Sequence, residues 1–377
     1  MNVLVILITL FACVWLQGAI YERRWNKNIA LSISFSETRA TEGEGLYLIE
    51  IITNRKFLPL PWIAVKFQVS RHLLFDDHSN AQISDDFYRN DLFRLFMYQR
   101  ITRKLRFTCG KRGIYTIKSA DIVSSDILAL HKLTDTRMTK SAVSTLTVYP
   151  RMINIDTYMN THKQFLGDIR SRRYIQPDPF TFRGIREYQP TDTLRSVNFK
   201  ATAKTGDLMV NIRDFTVTCE IIVLLNVDPY HAYPREDLFE QTLRLAASLA
   251  AYYIDNGIPL GLVTNACGID PTYSGASRDH LTHLNEALAR FDFLKPPVIK
   301  GKQMLSETHR DQESKRRAGR EPAYILISTY HGKDLAESFY ALKESGADAL
   351  WIIPTYKDLE ISVPLTERIV AADLLNQ

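Results

Sequence analysis

The opening of the chain restricts its fold and its location more than any other stretch. Residues 3–20 (VLVILITLFACVWLQGAI) carry no charge, and only Thr9, Gln17 and Gly18 interrupt the apolar run. Eighteen helical residues extend roughly 27 Å, close to the hydrocarbon thickness of a bilayer, so a transmembrane anchor over residues 1–21 is expected to cross once. Arg23, Arg24 and Lys27 follow the run and no basic residue precedes it. A secretory signal would have basic residues before its apolar core and small residues at its end. Lys and Arg on the far side hold that side in the cytoplasm. The expectation is a single-pass protein of the cell membrane with its soluble domains cytoplasmic.

With 377 residues, 45% of them hydrophobic, there is enough material behind the anchor for two cores. Over residues 29–150 short runs alternate with period two. Ile63, Val65, Phe67 and Val69 face one way, and Leu31, Ile33 and Phe35, then Leu105, Phe107 and Cys109, repeat the pattern. Turn residues separate these runs at 42–45, 58–61 and 110–113, so an antiparallel β-sandwich is predicted. The aromatic stretch 85–100 is compatible with a helix and is expected to be an insertion between strands. Residues 151–216 are polar, rich in Arg and without clear periodicity, which suggests a long functional linker.

From residue 217 to 377 the pattern changes to strands alternating with helices. Ile221–Val227 is a continuous apolar run suited to a strand buried on both faces, and 260–264, 323–328 and 349–353 are similar. Between them Pro234 opens a helix closed by Asn256-Gly257, Ser277 can cap another, and a third ends at Gly346. The predicted fold class is thus an α+β multidomain chain: a transmembrane helix, an antiparallel β-sandwich and a doubly wound α/β domain.

Within the linker, the segment from Gly184 to Lys204 resembles the signature of the DUF58 family, in which a G-x-R-x-Y-x-P-x-D-x-x-R-x-I-x-W-x-x-x-A-R pattern precedes a von Willebrand A-like domain. Gly184, Arg186, Tyr188, Pro190, Asp192, Arg195 and Ala203 match, while Phe199 stands for the usual Trp and Lys204 for the usual Arg. Arg112-Gly113-Ile114-Tyr115, Ser125-Asp126 and Val148-Tyr149-Pro150 are similar to further turns of the family, and Leu58-Pro59-Leu60-Pro61-Trp62 also fits. Members often carry two N-terminal membrane segments, and this chain has one. The resemblance implies a von Willebrand A-like domain and a MoxR-type AAA+ ATPase as partner in protein assembly or maturation at the membrane, and a non-enzymatic adaptor is the expectation.

Between residues 169 and 214 nine Lys or Arg face five acids, so most of the chain's net charge of +5 is local to the signature. Arg186, Asp192 and Arg195 are spaced for a turn in which a carboxylate can grip guanidinium groups in bidentate fashion. Such charges could pin the linker or recognise an acidic partner, and the two roles are compatible. Tyr188 and Phe199 suit packing anchors. Nucleic-acid binding would require a broader basic face with interleaved aromatics and is not expected.

A von Willebrand A domain that holds Mg²⁺ places D-x-S-x-S after its first strand, because a hard cation needs several oxygens in octahedral array. Here the corresponding residues are Asn226-Val227-Asp228-Pro229-Tyr230. Asn226 and Asp228 are the candidate metal residues of a degenerate site, with Thr264 and Asp270 as further oxygen donors. No bound cofactor is expected otherwise. Phosphate-cradling, nucleophile-elbow and zinc-helix motifs are absent; Gly332-Lys333 lacks an upstream glycine, and His280 and His283 lack further ligands. Cys13, Cys109, Cys219 and Cys267 are scattered singly, as reduced thiols are. Two other functions remain open from the residues. One is a metal-dependent hydrolase built on Asp228 and the signature Arg and Asp residues; the other is a binder of anionic lipid through the juxtamembrane and linker arginines.

Overall fold

A computed structural model describes residues 2–77, 81–83, 86–117, 119–126, 132–138, 144–155, 182–190, 192, 194–213, 220–229, 235–317, 321–355 and 361–373. The chain divides into two compact units, Met1–Arg151 with Asn285–Phe291, and Met152–Leu284 with Asp292–Gln377.

The first unit begins with helix α1 (Asn2–Arg24) and continues through strands β1 (Ile29–Phe35), β2 (Arg39–Thr41), β3 (Gly45–Asn54), β4 (Leu60–Ser70), β5 (Leu73–Phe75), β6 (Ala81–Ile83), β7 (Asp86–Leu95), β8 (Arg100–Cys109), β9 (Gly113–Thr116), β10 (Ser119–Ser125), β11 (Lys132–Met138) and β12 (Thr145–Tyr149). Among the described residues these strands make a four-stranded sheet in the order β1-β3-β8-β5, a five-stranded sheet β11-β10-β4-β7-β6 and a three-stranded sheet β2-β12-β9. Period two decides which side chains enter the shared core. Ile63, Val65, Phe67 and Val69 of β4 are buried, as are Leu46, Leu48 and Ile52 of β3, while Lys66 and Gln68 are exposed.

The segment expected to be a helical insertion is instead a strand. β7 pairs antiparallel with β4 over Leu95 to Asp86, and its residues alternate, with Arg89, Asp91, Phe93 and Leu95 inward and Tyr88 and Leu92 outward. Aromatic side chains fit a pleated surface as readily as a helix face, and pairing with β4 settles the choice. The inward charges form a buried network. Arg89 donates to Asp91 at 2.6 Å, Arg103 of β8 donates to the other Asp91 oxygen at 2.7 Å, and both arginines reach Asp77. Glu50 of β3 lies beside them with its carboxyl group buried, and burial, followed by the Asp91 charge and a hydrogen bond to Asp91, pushes its pKa up to about 8.

The second unit opens with β13 (Phe182–Glu187), a 3₁₀ turn at Leu194–Ser196, α2 (Phe199–Thr205) and β14 (Met209–Arg213). β13 and β14 pair antiparallel, so the described part of the expected linker is a folded hairpin with a short helix in its bend. Then come β15 (Ile221–Asn226), α3 (Glu236–Asp255), β16 (Leu260–Thr264), β17 (Thr272–Gly275), α4 (Arg278–Arg290), α5 (Gly301–Arg317), β18 (Ala323–Ser328), α6 (Lys333–Glu344), β19 (Ala349–Thr355) and β20 (Ile369–Asp373). Six of these strands form one sheet in the order β17-β16-β15-β18-β19-β20, parallel except for edge strand β17. Every residue of β15, β18 and β19 is buried, as a strand covered on both faces requires. Met304 and Leu305 of α5, with Leu335, Phe339 and Leu342 of α6, pack on Ile222, Leu224, Tyr324, Leu326, Trp351 and Ile353. Helix α3 lies against β16, β18 and β19 without joining that cluster. Gly257 and Gly346 take the left-handed conformation just after α3 and α6, where a side chain would be strained.

Candidate functional site

The chain leaves β15 towards β16 on one side and reaches β18 on the other, so strand order reverses at β15. In an open α/β sheet the crevice beyond the carboxyl ends of such strands is where ligands bind. Here the crevice is closed by polar residues bonded to one another. Asn226, fully buried at the end of β15, donates from Nδ2 to Ser328 Oγ at 2.9 Å at the end of β18. Asn265, just past β16, donates to Asn226 Oδ1 and to Asp228 Oδ1, each at 2.8 Å, and accepts from the Val227 N–H. The remaining Asp228 oxygen accepts from the Gly301 N–H at 2.6 Å, at the first residue of α5. A carboxylate at a helix N-terminus satisfies a free N–H and meets the positive end of the helix dipole. Gly301 is required by this approach, since a Cβ there would stand 2.5–2.6 Å from the Asn226 side-chain atoms.

Half-burial raises the Asp228 pKa, against the lowering effect of the Gly301 and Asn265 hydrogen bonds. Both Asp228 oxygens and both polar atoms of Asn226 are thus engaged inside the protein. Thr264 donates to the Leu225 carbonyl at 2.8 Å, Asp270 is exposed in the loop after β16, and Tyr230 lies outside the described residues. Among the described residues no group of three His, Cys, Asp or Glu side chains is arranged to hold a metal ion. This donor set does not fit the oxygen shell of Mg²⁺. His280 uses Nε2 on the Leu260 carbonyl at 2.7 Å, which ties α4 to the sheet.

The second place is the hairpin. Arg186 on β13 closes on Asp192 in bidentate fashion, Nη1 to Oδ2 at 2.7 Å and Nη2 to Oδ1 at 2.6 Å, and Asp192 also accepts from the Gln189 N–H. The Arg186 hydrogen bond holds the Asp192 carboxyl below its ordinary pKa, and Asp192 in turn raises that of Arg186. Gly184 leaves open space where a Cβ would be, and the Tyr188 N–H bonds to the Leu208 carbonyl. Pro190 sits in the following turn and Lys204 in the last turn of α2. Asn198 caps α2 by accepting from the Ala201 N–H and donates to Asn211 on β14, which locks the helix to the strand. The backbone of Arg195 lies in the 3₁₀ turn; its side chain is outside the described set. Phe199 is 77% exposed and Leu194 74%, and Ile185 and Leu208 are exposed as well.

Residues 184–367, which include most of this hairpin and most of the six-stranded sheet, match the family model described as "Protein of unknown function DUF58". This region belongs to the DUF58 family. No curated protein matches the chain. Among solved structures, a CARDB domain from Pyrococcus furiosus is similar at 10% identity over 32% of this chain and 91% of that one, with a TM-score of 0.20. A cohesin from Archaeoglobus fulgidus is similar at 11% identity over 35% and 97%, with a TM-score of 0.22. A GH20 exo-β-N-acetylglucosaminidase from Vibrio harveyi is similar at 10% identity over 84% and 60%, with a TM-score of 0.25. Likenesses this weak carry nothing for fold or function.

Within the DUF58 region, Asn265, Gly301 and Ser328 are the members of the crevice network that the sequence did not single out. Asn265 and Ser328 share one signal, a polar residue at the carboxyl end of an apolar strand. Gly301 has none, because its partner Asn226 is distant in sequence.

Leu4–Arg24 is long and apolar enough to cross a membrane, a property a signal sequence near an N-terminus shares. Leu7, Phe11 and Trp15 are exposed, whereas Tyr21 and Trp25 at the helix end are buried in the core of the first unit.

Proposed function

We propose that this protein is a membrane-anchored, non-enzymatic adaptor. In this reading α1 is a single-pass anchor with the rest of the chain on the cytoplasmic side, the first unit is a β-sandwich, and the six-stranded unit is von Willebrand A-like. The signature hairpin is its docking face, and a MoxR-type AAA+ ATPase is the partner. The observation that carries the reading is the exposure of Ile185, Leu194, Phe199 and Leu208 on a hairpin already braced by Arg186–Asp192 and by the α2 cap. Several exposed apolar groups held on one rigid element are what a protein partner covers. The crevice fits the same reading, because its carboxylate and amides are used in holding α5 to the sheet.

Affinity capture of the full chain from detergent-solubilised membranes tests this. The wild type should retain a AAA+ ATPase of the MoxR type, and a Leu194→Ser/Phe199→Ser variant should retain about tenfold less, as loss of a central apolar anchor implies. Absence of any such ATPase with the wild type, or equal recovery with the variant, would overturn the proposal.

A further inference from the structure

The end of α1 is built into one pole of the first unit. Tyr21 bonds to Ser124 Oγ at 3.0 Å inside the core, and Trp25 is buried beside it. Lys56, in the loop between β3 and β4, donates to the carbonyls of Arg24 and Lys27 at 3.1 and 2.9 Å and to that of Trp25. That loop is in turn stapled to the loop between β7 and β8. Asn54 donates to the Leu58 and Phe96 carbonyls at 2.9 Å each, and the Tyr98 N–H bonds to the Lys56 carbonyl at 3.2 Å. The helix end and both loops are therefore one fixed assembly. Ile29, Asn54, Leu60, Leu95 and Arg100, the terminal residues of five strands, lie at this same end.

Large apolar and aromatic side chains stand exposed on this assembly. Phe57 is 71% exposed, Phe96 66% and Tyr98 70%, and Met97 and Trp62 are partly exposed. Tyr98 has a left-handed backbone (φ 51°), a strained conformation for a non-glycine residue that turns the loop tip. Arg94 stacks over the Trp62 ring at 5.1 Å. Across residues 21–28, 54–62 and 92–100 seven Lys or Arg stand against Glu22 alone. Exposed aromatics among cations are the composition of a surface seated at the headgroup level of an anionic leaflet.

Resting on the anchor reading above, we infer that this pole docks on the bilayer, with Phe57, Phe96 and Tyr98 inserted at the interface beside the exit of α1. The occupant follows from continuity, since the loops are hydrogen-bonded to the helix that enters the lipid and cannot lie far from its surface. The first unit is then held upright against the membrane by two attachments, the helix and the aromatic loops.

Single cysteines carrying a nitrobenzoxadiazole fluorophore test this in the full chain, in a Cys13→Ser/Cys219→Ser/Cys267→Ser background that keeps the buried Cys109. The chain is reconstituted in vesicles of phosphatidylcholine and phosphatidylglycerol containing spin-labelled lipid. Phe57→Cys, Phe96→Cys and Tyr98→Cys are the pole probes. Leu74→Cys is the distant control, because Leu74 pairs with Thr108, eight residues along β8 from Arg100 and about 27 Å from the pole. Leu10→Cys reports on the anchor. The inference expects the pole probes to be quenched by shallow spin label about threefold more than Leu74→Cys, with Leu10→Cys quenched by deep label. Pole probes no more quenched than Leu74→Cys, with Leu10→Cys quenched, would overturn the docking and leave the anchor standing. An unquenched Leu10→Cys would overturn both.

Discussion

Asp228 is the residue at which a metal site and a structural lock make opposite demands. A ligand carboxylate needs oxygens turned towards the ion, whereas both Asp228 oxygens are bonded to Asn265 and to the Gly301 N–H. Asp228→Ala should therefore lower the unfolding free energy by about 2 kcal/mol, the usual cost of removing a charged partner from semi-buried donors. Elemental analysis should give the same metal content for wild type and variant; stoichiometric Mg²⁺ or Mn²⁺ lost only in the variant would favour the hydrolase. Gly301→Ala should be destabilising by about 1–3 kcal/mol, because the new methyl must displace Asn226. Glu50 gives a pH dependence. Its pKa rises from 4.5 to about 8 on folding, so its contribution to stability is fully present below about 4.5 and is lost as pH rises through about 8. Glu50→Gln should flatten that decline, read as denaturant midpoints across the same pH window. Unchanged decline in the variant would assign the pH dependence to other groups. Asn226 and Asp228 could be picked out from sequence because they stand at the end of the first apolar strand, where a von Willebrand A domain places its D-x-S-x-S residues. Asn265, Gly301 and Ser328 could not be joined to them, since their partnership exists only after the sheet has formed.

At the scale of elements, the legible features were those set by local periodicity and end signals. The apolar runs of β15, β18 and β19, the close of α3 at Asn256-Gly257 and the capping of α4 by Ser277, which accepts from the His280 N–H, all follow from neighbouring residues. Local pattern is not enough where pairing or a thin apolar stripe decides the outcome. β7 looks helix-compatible until β4 is beside it. Helix α5 carries so many charges that the burial of Met304 and Leu305 is easily missed. The edge strands β17 and β20 are short and depend on their neighbours. The coupling of α1 to the first unit also belongs here, since Lys56 satisfies carbonyls at the helix end that would otherwise face water. Lys56→Met should loosen that end, and hydrogen exchange over residues 22–28 should speed up by about tenfold, the equivalent of roughly one lost hydrogen bond. Unchanged exchange would mean that Tyr21 and Trp25 alone hold the joint.

For the whole molecule, the account rests on α1 being retained and embedded in lipid. Its exposed apolar side chains have no protein partner among the described residues that would cover them, while its last turn is part of the core of the first unit. A retained anchor uses both properties, whereas a leader that is cut away uses the apolar run alone. Mass spectrometry of the chain recovered from alkali-washed membranes measures this directly. The account predicts that the protein stays in the washed membrane with residues 2–20 intact. A chain that begins after residue 20, released in the soluble wash, would contradict it.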